Sequence, residues 1–305
     1  MIKKIFLLLL LVSIKIGAQQ NNYNALIEYQ MPLINPAHAG ADSKQYFIIN
    51  SRNQWSTLDE SPKTLSMAYS FASGKNVGLG LSVISDQIFV EKQTTIGIDF
   101  SYKLTLNNET NLYLGLKGGL NSFKVNTENL IAYDSSPDPA KTNMSRLNPN
   151  VGIGLLFKYK TVWISTALPR LFNAKRNKEI FLNARDRVHF YFASGTTFPL
   201  KNNIDIEPRF IYRTAQGIKS VMEGVLWAKY KNKFSIGLGV RTGAVTSFKM
   251  KLDMTEMISL SYAYDAYGNL NSIMNQFDAH EIGLKFQLNN NILKNNSEEE
   301  SIEEE

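Results

Sequence analysis

The sequence predicts an all-β fold: a closed antiparallel transmembrane β-barrel of about 14 strands, preceded by a short irregular N-terminal segment. Three observations carry this. Residues 92–106 read KQTTIGIDFSYKLTL, with Ile96, Ile98, Phe100, Tyr102, Leu104 and Leu106 on one parity and Thr95, Gly97, Asp99, Ser101, Lys103 and Thr105 on the other. A helix would bring Thr95 and Asp99 onto the face of Phe100 and Tyr102, so the period of two decides for a strand. The run is also longer than an ordinary strand. Similar segments recur almost to the C-terminus. Finally, the N-terminus reads as an export signal, and no later stretch approaches the length of a spanning helix.

In chain order, Lys3 and Lys4 precede an apolar run from Ile5 to Ile14, followed by the small residues Gly17 and Ala18. This pattern is a secretory signal peptide over residues 1–18, with cleavage expected after Ala18. The run is too short for a membrane anchor, and Lys15 interrupts it. Residues 19–43 form a separate segment, lying in the periplasm or folded up into the lumen. Pro32 and Pro36 remove ladder donors there, so no normal strand is expected. Asn35-Pro36 suits the start of a turn, and Gly40 permits positive φ.

The barrel is expected over 44–289. Its strands centre on Gln45–Arg52, Thr64–Phe71, Val77–Ser85, Thr94–Leu106, Leu112–Phe123, Asn150–Tyr159 and Val162–Leu168. Then come Arg187–Phe198, Ile204–Tyr212, Ser220–Tyr230, Phe234–Arg241, Ser247–Leu252, Ile258–Asp265 and His280–Leu288. The connections provide an independent check. Those after even strands are short, whereas Lys124–Pro149, Pro169–Asp186 and Ala266–Ala279 all follow odd strands. Short periplasmic turns and long extracellular loops are the rule in outer-membrane barrels, so both termini are expected in the periplasm. The aromatics Tyr102, Phe123, Tyr159, Trp163, Phe198, Tyr230 and Tyr267 fall near strand ends, as interfacial girdles would. Trp55 is expected to be an interface anchor where the first strand leaves the membrane. Residues 290–305, with six Glu, read as a disordered acidic tail.

Composition excludes several classes. There is no Cys, so disulfides, thiolate metal sites and a lipidated N-terminal Cys are absent. The formal net charge of +6 is spread over strands and turns, and no helical reading element is present, so no nucleic-acid partner is expected. His38, His189 and His280 are the three histidines, and none has a partner at metal-ligand spacing. No Gly-x-Ser-x-Gly elbow occurs. The pairs Gly78/Gly80, Gly152/Gly154 and Gly237/Gly239 lie inside strands, where Gly bends a barrel or makes room in its lumen; they are not phosphate loops. No catalytic, cofactor-binding or metal residue is expected.

The motif Asn35-Pro36-Ala37-His38-Ala39-Gly40, followed by Arg52-Asn53-Gln54-Trp55, resembles the PorP/SprF family of type IX secretion and gliding outer-membrane proteins of Bacteroidetes. The resemblance continues through Ser61-Pro62-Lys63-Thr64, Asn76 to Leu81, Asp86, Leu114 to Asn121 and Asn148 to Gly154, and closes at His280-Glu281-Ile282. His38 stands where the family commonly has Tyr, and the turn after Asp86 lacks the family's Gly. The resemblance implies a non-enzymatic component that receives, helps export or anchors secreted cargo at the cell surface. Its implied partners are cargo with a C-terminal sorting domain, other proteins of the same machinery, and outer-membrane lipid. The alternatives are a pore or substrate-selective channel, and then an outer-membrane enzyme. Asn35, Pro36, Ala37, Gly40, Arg52, Gln54 and Trp55 are candidate structural or partner-facing residues. Tyr133, Arg146, Phe172, Arg176 and Phe277 are candidate cargo contacts, placed on the long loops because aromatic and Arg side chains anchor interfaces.

Overall fold

A computed structural model describes residues 24–42, 45–55, 58, 60–127, 143–172, 187–268 and 278–288. The strands are β1 (Gln45–Gln54), β2 (Lys63–Ser73), β3 (Val77–Ile88), β4 (Glu91–Asn107) and β5 (Thr110–Val125). They continue as β6 (Met144–Tyr159), β7 (Val162–Leu168), β8 (His189–Gly195), β9 (Phe198–Pro199) and β10 (Ile204–Ala215). The set ends with β11 (Ile218–Tyr230), β12 (Phe234–Arg241), β13 (Val245–Asp253), β14 (Ile258–Tyr267) and β15 (Ala279–Leu288). Every pairing is antiparallel, and β15 pairs with β1 from Gln45↔Leu288 to Gln54↔Ala279, closing the sheet into a ring.

The barrel has fourteen staves, because β8 and β9 are one strand with a gap. Arg209↔Gly195 and Ile206↔Phe198 keep a single register across the break. Thr196 falls opposite Pro208, whose carbonyl accepts from the Thr196 N–H at 3.3 Å. Pro208 has no N–H to return, so the ladder lapses there.

Alternation places the apolar side chains outward. Ile98, Leu116 and Val240 are 64%, 57% and 63% exposed, whereas Asp99, Lys117, Glu223 and Lys249 on the opposite parity are buried in the lumen. An outward apolar band with a polar interior is the pattern of a barrel whose solvent outside is lipid. The short connections 74–76, 108–109, 160–161, 200–203, 231–233 and 254–257 gather at one end. The other end carries 126–143, 169–188 and 268–278, so the sequence-based division of loops holds.

Two expectations need correction. Residues 144–149 belong to β6, not to a loop, and Arg146 pairs with Phe123 inside the ladder. Pro149 survives in the strand because it lies above the last β6–β7 rung, Ile153↔Leu168, where β6 is laddered on one side only. Among the aromatics, Tyr102, Tyr159, Phe198 and Tyr230 are exposed toward the short-turn end. Phe123, Trp163 and Tyr267 instead point inward: Phe123 is buried, Trp163 packs on Gly195, and Tyr267 accepts from Arg52. Residues 1–18 and the acidic tail lie outside the described residues.

A closed ladder resists cold detergent. The folded protein is expected to migrate faster than the boiled chain on semi-native gels; identical migration of both forms would contradict the barrel.

Candidate functional site: a lumen filled by the N-terminal segment

Residues 24–42 lie inside the barrel as three consecutive 3-10 turns, Ile27–Tyr29, Met31–Leu33 and Pro36–His38. The sequence dictates such short turns. Pro36 opens its turn and Pro32 is second in its own, positions where a missing N–H is harmless. The Asn35 side chain caps the third turn by accepting from the Ala37 N–H at 2.9 Å. Gly40, at φ 65°, turns the chain out toward β1.

On the β3–β7 wall the segment is held by close packing. The Asn35 amide donates to Ser165 Oγ at 2.7 Å and to the carbonyls of Leu155 and Thr166 at 3.0 and 3.1 Å. Glycines make this approach possible. A Cβ on Gly154 would lie 1.8 Å from Asn35 Oδ1, one on Gly115 would lie 2.1 Å from the Ala37 nitrogen, and one on Gly78 would lie 1.9 Å from the Ala39 carbonyl oxygen. Higher in the barrel, Lys117 binds Asp99 at 3.0 Å, Ser82 at 2.9 Å and the Pro32 carbonyl at 3.2 Å.

On the opposite wall the segment is held by charge. Arg52 reaches Asp265 at 2.7 Å and Glu281 at 3.1 Å. Arg241 shares Asp265 at 2.8 Å, and Lys249 joins Glu223 at 2.9 Å to Glu28 of the segment at 3.3 Å. Trp227 Nε1 donates to Glu28 at 2.8 Å. Glu281 closes the chain of contacts by accepting from the backbone N–H groups of Ala25 at 2.6 Å and Leu26 at 3.1 Å, and from the Asn50 amide at 2.8 Å. Arg52, Asp265, Glu281, Glu223 and Lys249 are each essentially inaccessible. Four carboxylates therefore meet three cations, and Glu281 is additionally neutralised by N–H donors.

The segment's own ionisable groups respond to this environment. Burial raises the Tyr29 phenol well above its usual range, against the opposing pull of Arg209. Burial, reinforced by Lys158, pushes His38 down to about 3. His38 Nε2 lies 3.0 Å from Ser165 Oγ, the one Ser–His contact of catalytic type among the described hydrogen bonds. That hydroxyl is buried under the segment and already engaged by Asn35, so the pair is a seat and not a nucleophile.

A cavity of about 360 Å³ remains between the segment and the long-loop end. Its floor includes Asn24, Ile27, Leu33 and Ile34, and its walls include Asp86, Arg170, His189 and Arg213. Asn24 thus faces the end opposite to Asp42, which pairs with Lys158 at 2.8 Å near the 160–161 turn.

The sequence-predicted residues divide accordingly. Asn35, Pro36, Ala37 and Gly40 form the seat, and Arg52 is a buried lumenal clasp. Gln54 is buried at the end of β1 opposite Ala279. Trp55 is half-buried at φ 55°, and its N–H donates to the Asp278 carbonyl at 2.8 Å. Phe172 is 57% exposed at the start of its connection, where its backbone is held at both N–H and carbonyl by Asn150. Tyr133, Arg176 and Phe277 lie outside the described residues, and Arg146 is in β6. Sequence reading did not single out Glu28, Glu223, Arg241 or Lys249, and named Glu281 only within the family resemblance. Inward parity of a charged residue was the available signal for the four on strands; Glu28, on a 3-10 turn, carried no such signal.

A closed barrel with an apolar outer band and a lumen filled by its own N-terminal segment defines a plugged outer-membrane β-barrel protein. The family model described as type IX secretion system membrane protein PorP/SprF matches residues 16–286, and the chain belongs to that family. Similar solved structures include outer membrane protein Omp33 of Acinetobacter baumannii, at 10% identity and TM-score 0.47, covering 81% of this chain and 100% of that one. The P. putida toluene transporter TodX, at 7% identity and TM-score 0.49, covers 85% and 93%. The monoaromatic hydrocarbon channel CymD, at 10% identity and TM-score 0.49, covers 89% and 94%. These are likenesses of barrel shape alone. No curated protein sequence matches the chain.

Two outcomes follow from the seat. Gly115→Val should expel residues 35–37 while the barrel stays heat-modifiable, making the segment digestible by added protease. Glu281→Ala should destabilise the folded protein by about 3–5 kcal/mol, read from denaturant unfolding in micelles, because it leaves Arg52 short of a buried partner.

The pH dependence has a fixed sign. The seated segment holds His38 neutral, so its contribution is complete above the ordinary imidazole value of about 6.5 and is lost as pH falls from there toward 3. Protection of the segment from protease is expected to weaken between pH 7 and pH 5, and less so in His38→Gln.

Proposed function

We propose that this barrel is a sealed, non-enzymatic outer-membrane component of the type IX secretion machinery that receives or anchors exported cargo through its long-loop end. The observation that carries this reading is the use of the Asn35–Gly40 motif: it is consumed in seating a segment across the lumen, which leaves little of the lumen free for passage. The apolar band faces lipid. The surfaces left for a protein partner are the long-loop end, the short-turn rim and the cavity of about 360 Å³ above the segment. The implied cargo carries a C-terminal sorting domain, and other machinery proteins meet the periplasmic rim. Phe172, rigidly presented by Asn150, is the described residue best placed for cargo contact. Tyr133, Arg176 and Phe277 complete the candidate surface.

The channel reading requires an open lumen, and the plug argues against it. Wild-type protein in planar bilayers is expected to give no steady conductance, whereas a variant lacking residues 24–42 should conduct. Steady conductance by the wild type would favour a channel.

The cargo reading has its own measurement. Shortening the 169–186 connection should release cargo into the medium, or trap it in cells, at unchanged barrel abundance. Normal surface cargo after each long connection is trimmed in turn would overturn anchoring by the loops.

A further inference from the structure

The outer surface of the barrel carries an apolar depression of about 460 Å³ across β10–β14. Its cause is local. On one outward rung, Ile206 pairs with Ala228, Ala228 with Ile236, and Ile236 with Met250. Ala228 is the short side chain in a row of long ones, and Leu226 and Phe248 rim the gap it leaves.

Directly below, two short turns form a basic corner. The Lys231 N–H donates to the Asn203 carbonyl at 2.8 Å, tying the 231–233 turn to the turn Lys201–Asn203. This gathers Lys201, Lys231 and Lys233, all exposed. Among the described residues none of the three forms an ion pair, whereas Lys160 at a neighbouring turn pairs with Glu109 at 3.2 Å. The Lys231 ammonium stands 5.1 Å from the centre of the Tyr230 ring. That places a cation beside an outward interfacial aromatic, at the level where headgroups lie. Ala228 lies three residues up the strand from Lys231, or about 10 Å at strand rise, well within the ~15 Å half-thickness of a hydrocarbon core.

We propose that this corner is a binding site for an anionic glycerophospholipid, with its phosphate on Lys201, Lys231 and Lys233 and one acyl chain in the depression at Ala228. Charge complementarity and the continuity of the apolar gap with the lysines favour a lipid over a second copy of the chain. An isologous dimer on this face would bring the same three lysines toward their own equivalents. The proposal concerns the barrel's outer wall and stands apart from the reading of the lumen and loops.

The test is native mass spectrometry of the full mature protein, released from micelles doped with equal amounts of phosphatidylglycerol and phosphatidylcholine. The wild type is expected to retain phosphatidylglycerol at least about five-fold over phosphatidylcholine, following the gain from basic residues at an anionic surface. The Lys201→Gln/Lys231→Gln/Lys233→Gln variant should retain both equally, and Ala228→Leu should lower retention of both. Heat-modifiability verifies that each variant is folded. Equal retention by the wild type, a preference unchanged by the triple substitution, or a dimer in place of lipid adducts would overturn the proposal.

Discussion

The chain of buried contacts through Arg52 is the constraint on which the rest of the lumen depends. A guanidinium with no access to solvent is tolerable only if its charge is matched at close range, and Asp265 and Glu281 do this from β14 and β15. Glu281 is in turn completed by the backbone of Ala25 and Leu26. Removing the segment would therefore expose or strand charges on six strands at once, since Asp265 also holds Arg241, and Glu28 holds Lys249, which also pairs with Glu223. The wall and the plug are each other's solvation shell. A polar barrel interior needs either water or protein to satisfy it, and here protein takes much of that role.

The two sides of the plug use different physics. Toward β3–β7 the fit is steric: strand glycines let backbone approach backbone, and Asn35 spends its amide on three wall acceptors. Toward β11–β15 and β1 the fit is electrostatic. Packing is insensitive to ionic strength and specifies position closely. Buried charge is costly to separate but tolerates small displacements, because Coulomb energy varies gently with distance. The packed side thus fixes where the segment sits, and the charged side fixes how hard it is to pull away.

Much of the barrel was legible because its pattern is local. A strand with lipid on one face and polar lumen on the other has to alternate, and Ile96 to Leu106 do so without interruption. Even the small side chains were half readable: Gly78 and Gly154 were recognisable as glycines that make room. The occupant of that room was not legible. Asn35 meets Ser165, and Lys249 meets Glu28, across 130 and 221 residues. No periodicity spans such distances. Pro149 shows the opposite failure: taken as the end of a connection, it lies in a strand because the upper part of β6 lacks a second neighbour. Arg52 was named as structural or partner-facing, and its parity with Asn50 and Ile48 is what places it inside.

The location of the motif also bears on where recognition resides. A partner-facing motif would leave side-chain donors and acceptors free at the surface, as interface anchors do before binding. Asn35 leaves none: its oxygen caps its own turn, and its two amide hydrogens are shared among three wall acceptors. Pro36 and Ala37 are fully packed. The motif's chemistry is spent on closing the barrel and leaves no side-chain donor or acceptor of Asn35 for a partner. Asn150 indicates how that division is built. It belongs to the strand, yet its side-chain oxygen accepts from the N–H groups of Leu171 and Phe172 at 2.9 and 3.1 Å. The barrel thereby holds the root of a long connection at fixed geometry, as a rigid scaffold does for the loops it carries.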